Sequence, residues 1–311
     1  LLYRMMTALL IRAATLPGAP DRAEAGPARG WLTCIHLLLM AVVAAPAANA
    51  ADPGTLAFRQ AVIEAAAQDA DIASFYRQRD YAPIFTGDDA DDAARRAALH
   101  AALSRAELHG LPTRRYPAAT LRTFFAAIGG PADRGRAEVA AARTFLAYAE
   151  DLQSGILEPG RVLPGIVREL PRRDRNDLLA AFAGPDPDGM LRSLVPHSLE
   201  YARLMAARLR LLEDIAEGGW GAAVPATRLS PGDEGAAVVA LRDRLIAMGY
   251  LAPTARATYD AAVLRAVQAF QRDHGLEPDG IAGTATIAAV NEEPAHRLSQ
   301  VLVAMERERW L

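Results

Sequence analysis

Apolar positions recur at helical spacing through most of the chain. "DDAARRAALHAALSRAELHG" sets Ala94, Leu99, Ala102, Leu103 and Leu108 on one stripe, and Gly110 follows at the likely stop. "AEVAAARTFLAYAEDLQSG" does the same with Val139, Ala142, Leu146 and Ala149, stopping at Gly155. "SLEYARLMAARLRLLEDIAEGG" places Leu199, Ala202, Leu204, Ala206, Leu209 and Ile215 on a predicted buried face. No alternating run is long enough to predict a strand. Residues 56–217 therefore read as an all-α domain with Pro-rich and charged connections.

A Gly/Pro-rich linker, 218–229, leads to a smaller unit over 230–291. Its first helix carries Val238, Leu241, Leu245 and Met248 and closes at Gly249. Asp260 is a suitable N-cap for a second helix with Val263, Val267 and Phe270 inside. Gly275, Gly280 and Gly283 fall where turns call for positive φ. A short third helix holds Ile287 and Val290, so three helices fill about 60 residues. Residues 292–311 predict one more amphipathic helix, with Pro294 in its first turn. It ends on "MERERWL", and no Gly, Asn or Pro follows as a stop.

The first 50 residues have a different pattern. An apolar core from Leu37 to Ala45 follows Arg29 and precedes Ala48-Asn49-Ala50. The core is far shorter than the ~20 residues that span a bilayer. It reads as a secretory signal cleaved after Ala50, leaving no stable membrane span and a periplasmic location. Residues 1–28 ahead of it read as an unusual leader or as translated upstream sequence. Removing residues 1–50 takes away four Arg, Asp21 and Glu24, so the net charge moves from −3 to −5. The only cysteine, Cys34, goes as well. The mature chain then has no disulfide, thiolate metal site or thiol nucleophile.

All 34 basic residues are Arg, and none forms a run longer than two. That argues against a nucleic-acid surface. His100, His109, His197, His274 and His296 show no metal-ligand spacing, so no metal or cofactor is expected and each reads as a helix-surface or cap residue. Glu150-Asp151 and Glu213-Asp214 are adjacent carboxylates that point apart on a helix, and read as solvated faces.

The second unit carries the most specific motif. Gly232, Gly235, Val238, Leu241, Leu245 and Gly249-Tyr250 stand in order. Tyr259-Asp260, Ala266-Val267, Phe270-Gln271, His274-Gly275-Leu276, Asp279-Gly280, Gly283 and Thr286 follow. Together they resemble the small peptidoglycan-binding domain found on many wall enzymes. Thr284 stands where that family often has Pro. Binding is expected in a shallow groove near the helix ends, with Tyr250, Gln271, His274 and Asp279 as candidates. Gln271 and Asp279 could equally satisfy turn amides, and His274 could simply close its helix.

"FYRQRDYAPIF", "LSRAELHGLPTRRY", "AYAEDLQSGILEPGR" and "LVPHSLEYARLMAARLRLLEDIAEGGW" resemble the helical scaffold region of large exported L,D-transpeptidases. Phe85 stands where Trp is usual. "MERERWL" resembles the stretch leading into the catalytic domain of those enzymes, with Ala304 and Glu308 as departures. The resemblance implies that a full-length relative attacks a wall stem peptide with a cysteine thiolate and forms a 3–3 cross-link. Its His…Ser-His-Gly-Cys signature is absent from this sequence, so a catalytic domain is expected beyond residue 311, with Trp310 packed on it. These residues are then expected to bind peptidoglycan and to meet wall-synthesis enzymes. A stand-alone wall-binding adaptor, or the targeting region of a wall hydrolase, are the competing readings.

Overall fold

The computed structural model describes residues 52–162, 165, 169–170 and 172–311. The signal segment, its cleavage site and Cys34 lie outside the described residues. Helix α1 (Pro53–Ala66) starts where the Asp52 side chain accepts Thr55 N–H. Asp69 and Asp89 cap α2 (Ala70–Gln78) and α3 (Ala90–Ser104) in the same way. Two 3-10 turns, Ala106–His109 and Thr113–Arg115, lead into α4 (Ala118–Ala126). Helix α5 (Pro131–Ser154) is the longest and runs through the first core. The short helices α6 (Pro159–Val162), α7 (Arg175–Phe182) and α8 (Pro187–Arg192) come next, then α9 (Leu199–Ala216). The predicted α5 face is buried in full, and Phe145 stacks on Phe182 at 4.4 Å between ring centres.

Glu138, in the middle of α5, is completely buried and has no cationic partner among the described residues. Its carboxylate accepts from Tyr76 Oη at 2.7 Å, Ile84 N at 2.7 Å, Thr86 N at 2.8 Å and Thr86 Oγ1 at 2.8 Å. Phe85 N donates to both oxygens at 3.2 Å. The carbonyls of the same irregular segment go to arginines. Arg95 Nε donates to Ile84 O, Arg96 to Phe85 O and Gly87 O, and Arg134 to Thr86 O. One segment without regular structure thus has its amides gathered on one anion and its carbonyls on three cations. Buried backbone needs such partners wherever no helix or sheet supplies them.

The second core lies among α10 (Ala236–Ala247), α11 (Ala261–Asp273) and α12 (Thr284–Val290). Asp260 caps α11 as expected, through Ala262 N and Val263 N. Gly275 and Gly280 have positive φ, but Gly283 does not; at −75° it is the extended N-cap of α12. The residues before α10 are held rather than loose. Trp220 is buried and donates Nε1–H to Asp214, and Val224 and Leu229 belong to the second core. Arg244 is fully buried and donates to the carbonyls of Gly221, Val290 and Glu292.

Helix α13 (Pro294–Glu308) returns to the first domain and packs antiparallel on α9. Ser198, which caps the start of α9, donates to Glu308 at the end of α13, while Pro294 sits beside Gly219. This pairing overturns the predicted α9 stripe. Its buried residues are Tyr201, Arg208 and Leu211, whereas Leu199, Leu209 and Ile215 are exposed. The polar residues face inward because α13 meets them with its own. Arg309 donates to Tyr201 Oη at 3.0 Å, to Glu306 at 2.9 Å and to His109 O. Glu306 also accepts Leu157 N–H at 2.7 Å.

Trp310, expected to pack on a further domain, is covered here by the described residues themselves. It is 6% exposed and lies against Gly155, where a Cβ would stand 2.9 Å from its Nε1 and 2.5 Å from Glu306 Oε1. Only glycine fits there, and its φ of +83° favours glycine as well. The paired carboxylates also leave the expected solvated faces. Asp151 is buried and accepts from Tyr116 and Arg115, and Asp214 holds Trp220.

Two tests follow from this packing. Glu138→Gln removes the anion and puts an amide donor among donors, so it should cost about 2–4 kcal/mol of stability. Urea unfolding followed by far-UV circular dichroism reads this, and a loss under about 1 kcal/mol would contradict the role of the carboxylate. His109 is pushed down to about 4 by burial, then by Arg309, Arg105 and Arg208. The unfolded chain therefore binds this proton more readily between pH 4 and the ordinary value of 6.5. Stability contributed by neutral His109 should be lost as pH falls through that window. The advantage of wild type over His109→Gln should shrink from pH 7 to pH 4.5, and parallel pH profiles would contradict it.

Candidate functional site

The four candidate residues gather around the C-terminal end of α11, but in two groups with different chemistry. Gln271 is 2% exposed. Its amide nitrogen lies 2.9 Å from Asp279 Oδ1, 3.0 Å from Ile281 O and 3.1 Å from Thr286 Oγ1. Its oxygen accepts Gly280 N–H at 2.9 Å. Both of its amide hydrogens are engaged within the fold, so it has no donor left over for a ligand. Asp279 is exposed, and its Oδ1 also accepts Ile281 N–H at 2.8 Å. That bond, then the one from Gln271, holds its carboxyl below the usual value. Tyr259 Oη donates to Gly280 O at 2.9 Å. A Cβ on Gly280 would press within 3.0 Å of Leu264 and 3.1 Å of Gln268, and its φ is +71°. This group is a locked turn.

Tyr250 and His274 form the second group, and both are half-exposed. Phe270 is the floor beneath them. His274 stacks on it at 3.8 Å, and Tyr250 meets it edge-on at 5.4 Å. The His274 Nδ1 lies 2.7 Å from Phe270 O, which can only accept. Nδ1 therefore carries the proton and Nε2 is an acceptor. Burial holds the imidazole below its ordinary value, so it is neutral near pH 7. Tyr250 Oη donates to Asp273 at 3.0 Å, and burial raises its hydroxyl to about 12. Glycine at 249, with φ of +82°, turns the chain so that Tyr250 comes back over α11.

Two participants were not found from the motif. Asp273 fixes the Tyr250 hydroxyl, and its position just before His274 was the available signal. Arg297, on α13, lies within electrostatic reach of both Tyr250 and His274 and donates to Ala289 O at 3.1 Å. Nothing in the sequence of the small domain points to it. The surface thus offers aromatic faces, a neutral imidazole acceptor, a carboxylate and a guanidinium, which suits a polar sugar or peptide ligand. Among the described residues, no three His, Cys, Asp or Glu are placed to hold a metal ion, and no helix is long and apolar enough to cross a membrane.

Comparison with known families gives two matches. Residues 234–290 match the family described as a putative peptidoglycan binding domain, and residues 70–207 match the one described as a scaffold domain. No curated protein matches the chain. The two matches support a wall-associated protein with peptidoglycan as its partner.

Gln271→Ala should destabilise the small domain by about 2–3 kcal/mol, because Gly280 N–H and Asp279 lose a buried partner. Tyr250→Phe should cost under about 1 kcal/mol, since its hydroxyl bond is exposed. Thermal unfolding of the two variants checks the order, and a reversed order would contradict the assignment of Gln271 to structure.

Proposed function

We propose that this chain is the scaffold and wall-binding region of an exported L,D-transpeptidase, and that it binds peptidoglycan through the Tyr250–His274 face. The observation that carries this reading is the order of parts. A scaffold-family match precedes a peptidoglycan-binding match, and α13 then carries the "MERERWL" stretch that resembles the approach to such a catalytic domain. The signal-like segment before Ala50 supports export to the periplasm. In this reading the covalent step, a cysteine acyl-enzyme leading to 3–3 cross-links, belongs to a domain outside these 311 residues. The residues described here bind and position.

The binding half of the proposal predicts that residues 51–311 sediment with purified sacculi. Deleting 230–291 should abolish this, and Tyr250→Ala with His274→Ala should weaken it while the chain stays folded. Equal sedimentation of wild type and both variants would overturn it. The transpeptidase half predicts that the reading frame after the Leu311 codon encodes His…Ser-His-Gly-Cys. A stop codon there would favour a stand-alone adaptor.

A further inference from the structure

A cavity of about 280 Å³ opens in the first domain between α3, the Ala106–His109 turn, α5 and α8. Leu191 and Val195 form part of its wall, and Arg105, Arg192, His109, Tyr148 and Asp188 bring polar groups to it. Tyr148 is 3% exposed, yet its hydroxyl makes no hydrogen bond among the described residues. The hydroxyl is not one of the sealed, unpartnered atoms of the core, so it opens onto the cavity. Arg105 donates Nε–H to Ala101 O and forms no ion pair among the described residues, so the rest of its guanidinium is available.

The state of His109 follows from its neighbours. Arg309 donates to Tyr201 Oη, and a guanidinium cannot accept. The Tyr201 hydroxyl hydrogen is then free to point at His109 Nδ1, 3.3 Å away. Nδ1 accepts, so Nε2 carries the hydrogen and is a donor. Burial and three nearby arginines keep the ring neutral. The cavity therefore collects two guanidinium groups, a phenolic hydroxyl and an imidazole N–H at one place, with one carboxylate and an apolar wall beside them.

We propose that this cavity binds a small zwitterion, an amino acid or short peptide with a free carboxylate and apolar side chains. Arg105, Tyr148 Oη and His109 Nε2–H receive the carboxylate, Asp188 faces the ammonium group, and Leu191 and Val195 cover the side chain. The volume suits a ligand no larger than a dipeptide. The site lies in the scaffold and does not depend on the wall-binding reading.

Isothermal titration of the chain with alanyl-alanine tests it, alongside alanyl-alaninamide and N-acetyl-alanyl-alanine. The dipeptide should bind, and the amide should bind at least about tenfold more weakly, because a charge-assisted contact is lost. The acetylated form should also weaken. Arg105→Ala, at an exposed position that should not disturb folding, and Tyr148→Phe should each reduce affinity about tenfold. Neither should alter sedimentation with sacculi, which separates failure here from failure of the wall-binding reading. Absence of dipeptide binding, equal binding of the amide, or unchanged affinity in both variants would overturn the proposal.

Discussion

The first domain depends on a buried negative charge that meets no positive one among the described residues. A carboxylate taken out of water is costly unless hydrogen bonds replace its hydration. Glu138 obtains them from three consecutive backbone amides and two hydroxyls. The arrangement works in both directions. Residues 84–86 could not be buried with their amides unsatisfied, and Glu138 could not be buried without them. Arg95, Arg96 and Arg134 complete it by taking the carbonyls. These contacts tie α2, α3 and α5 to one irregular segment, and Phe85 is thereby set against Phe182. Apolar packing then has a fixed frame to fill.

The small domain solves a similar problem with neutral groups. Gln271 has both donor and acceptor on one side chain, so it can join a turn amide, a carboxylate, a carbonyl and a hydroxyl. With that turn locked, the other side of the α11 terminus is free to carry exposed chemistry. Tyr250 and His274 rest on Phe270, which is itself in the core. Their positions are therefore set by the fold, with little side-chain entropy left to lose when a ligand arrives.

Much of this was legible in the sequence where apolar spacing and packing agree. The α5, α10 and α11 faces are of that kind, as are the Asp260 cap and the Gly275 and Gly280 turns. The misses share a physical cause. Periodicity assumes that buried means apolar, but α9 buries Tyr201 and Arg208 because α13 supplies Glu306 and Arg309 opposite them. Glu138 sits in an alanine-rich run and its partners lie over 50 positions upstream, so no local pattern marks it. Trp310 is expected on a further domain because its neighbour here is Gly155, which leaves no apolar signature. At the binding face, the motif located Tyr250 and His274, whereas Arg297 comes from a helix that the motif does not include.

The antiparallel pairing of α9 with α13 also constrains the order of events during folding. Ser198 and Glu308 are 110 residues apart in the chain and adjacent in space. Closing so long a loop as free chain is entropically unfavourable, although the penalty grows only slowly with length. If residues 224–291 collapse first around their own core, the flexible part of that loop becomes short. The small domain then acts as a folded spacer that brings the two helices together. Helix α13 is also the last described element in sequence. The inward-facing Tyr201 and Arg208 must therefore stay hydrated until it arrives, which polar groups tolerate better than a stripe of leucines would.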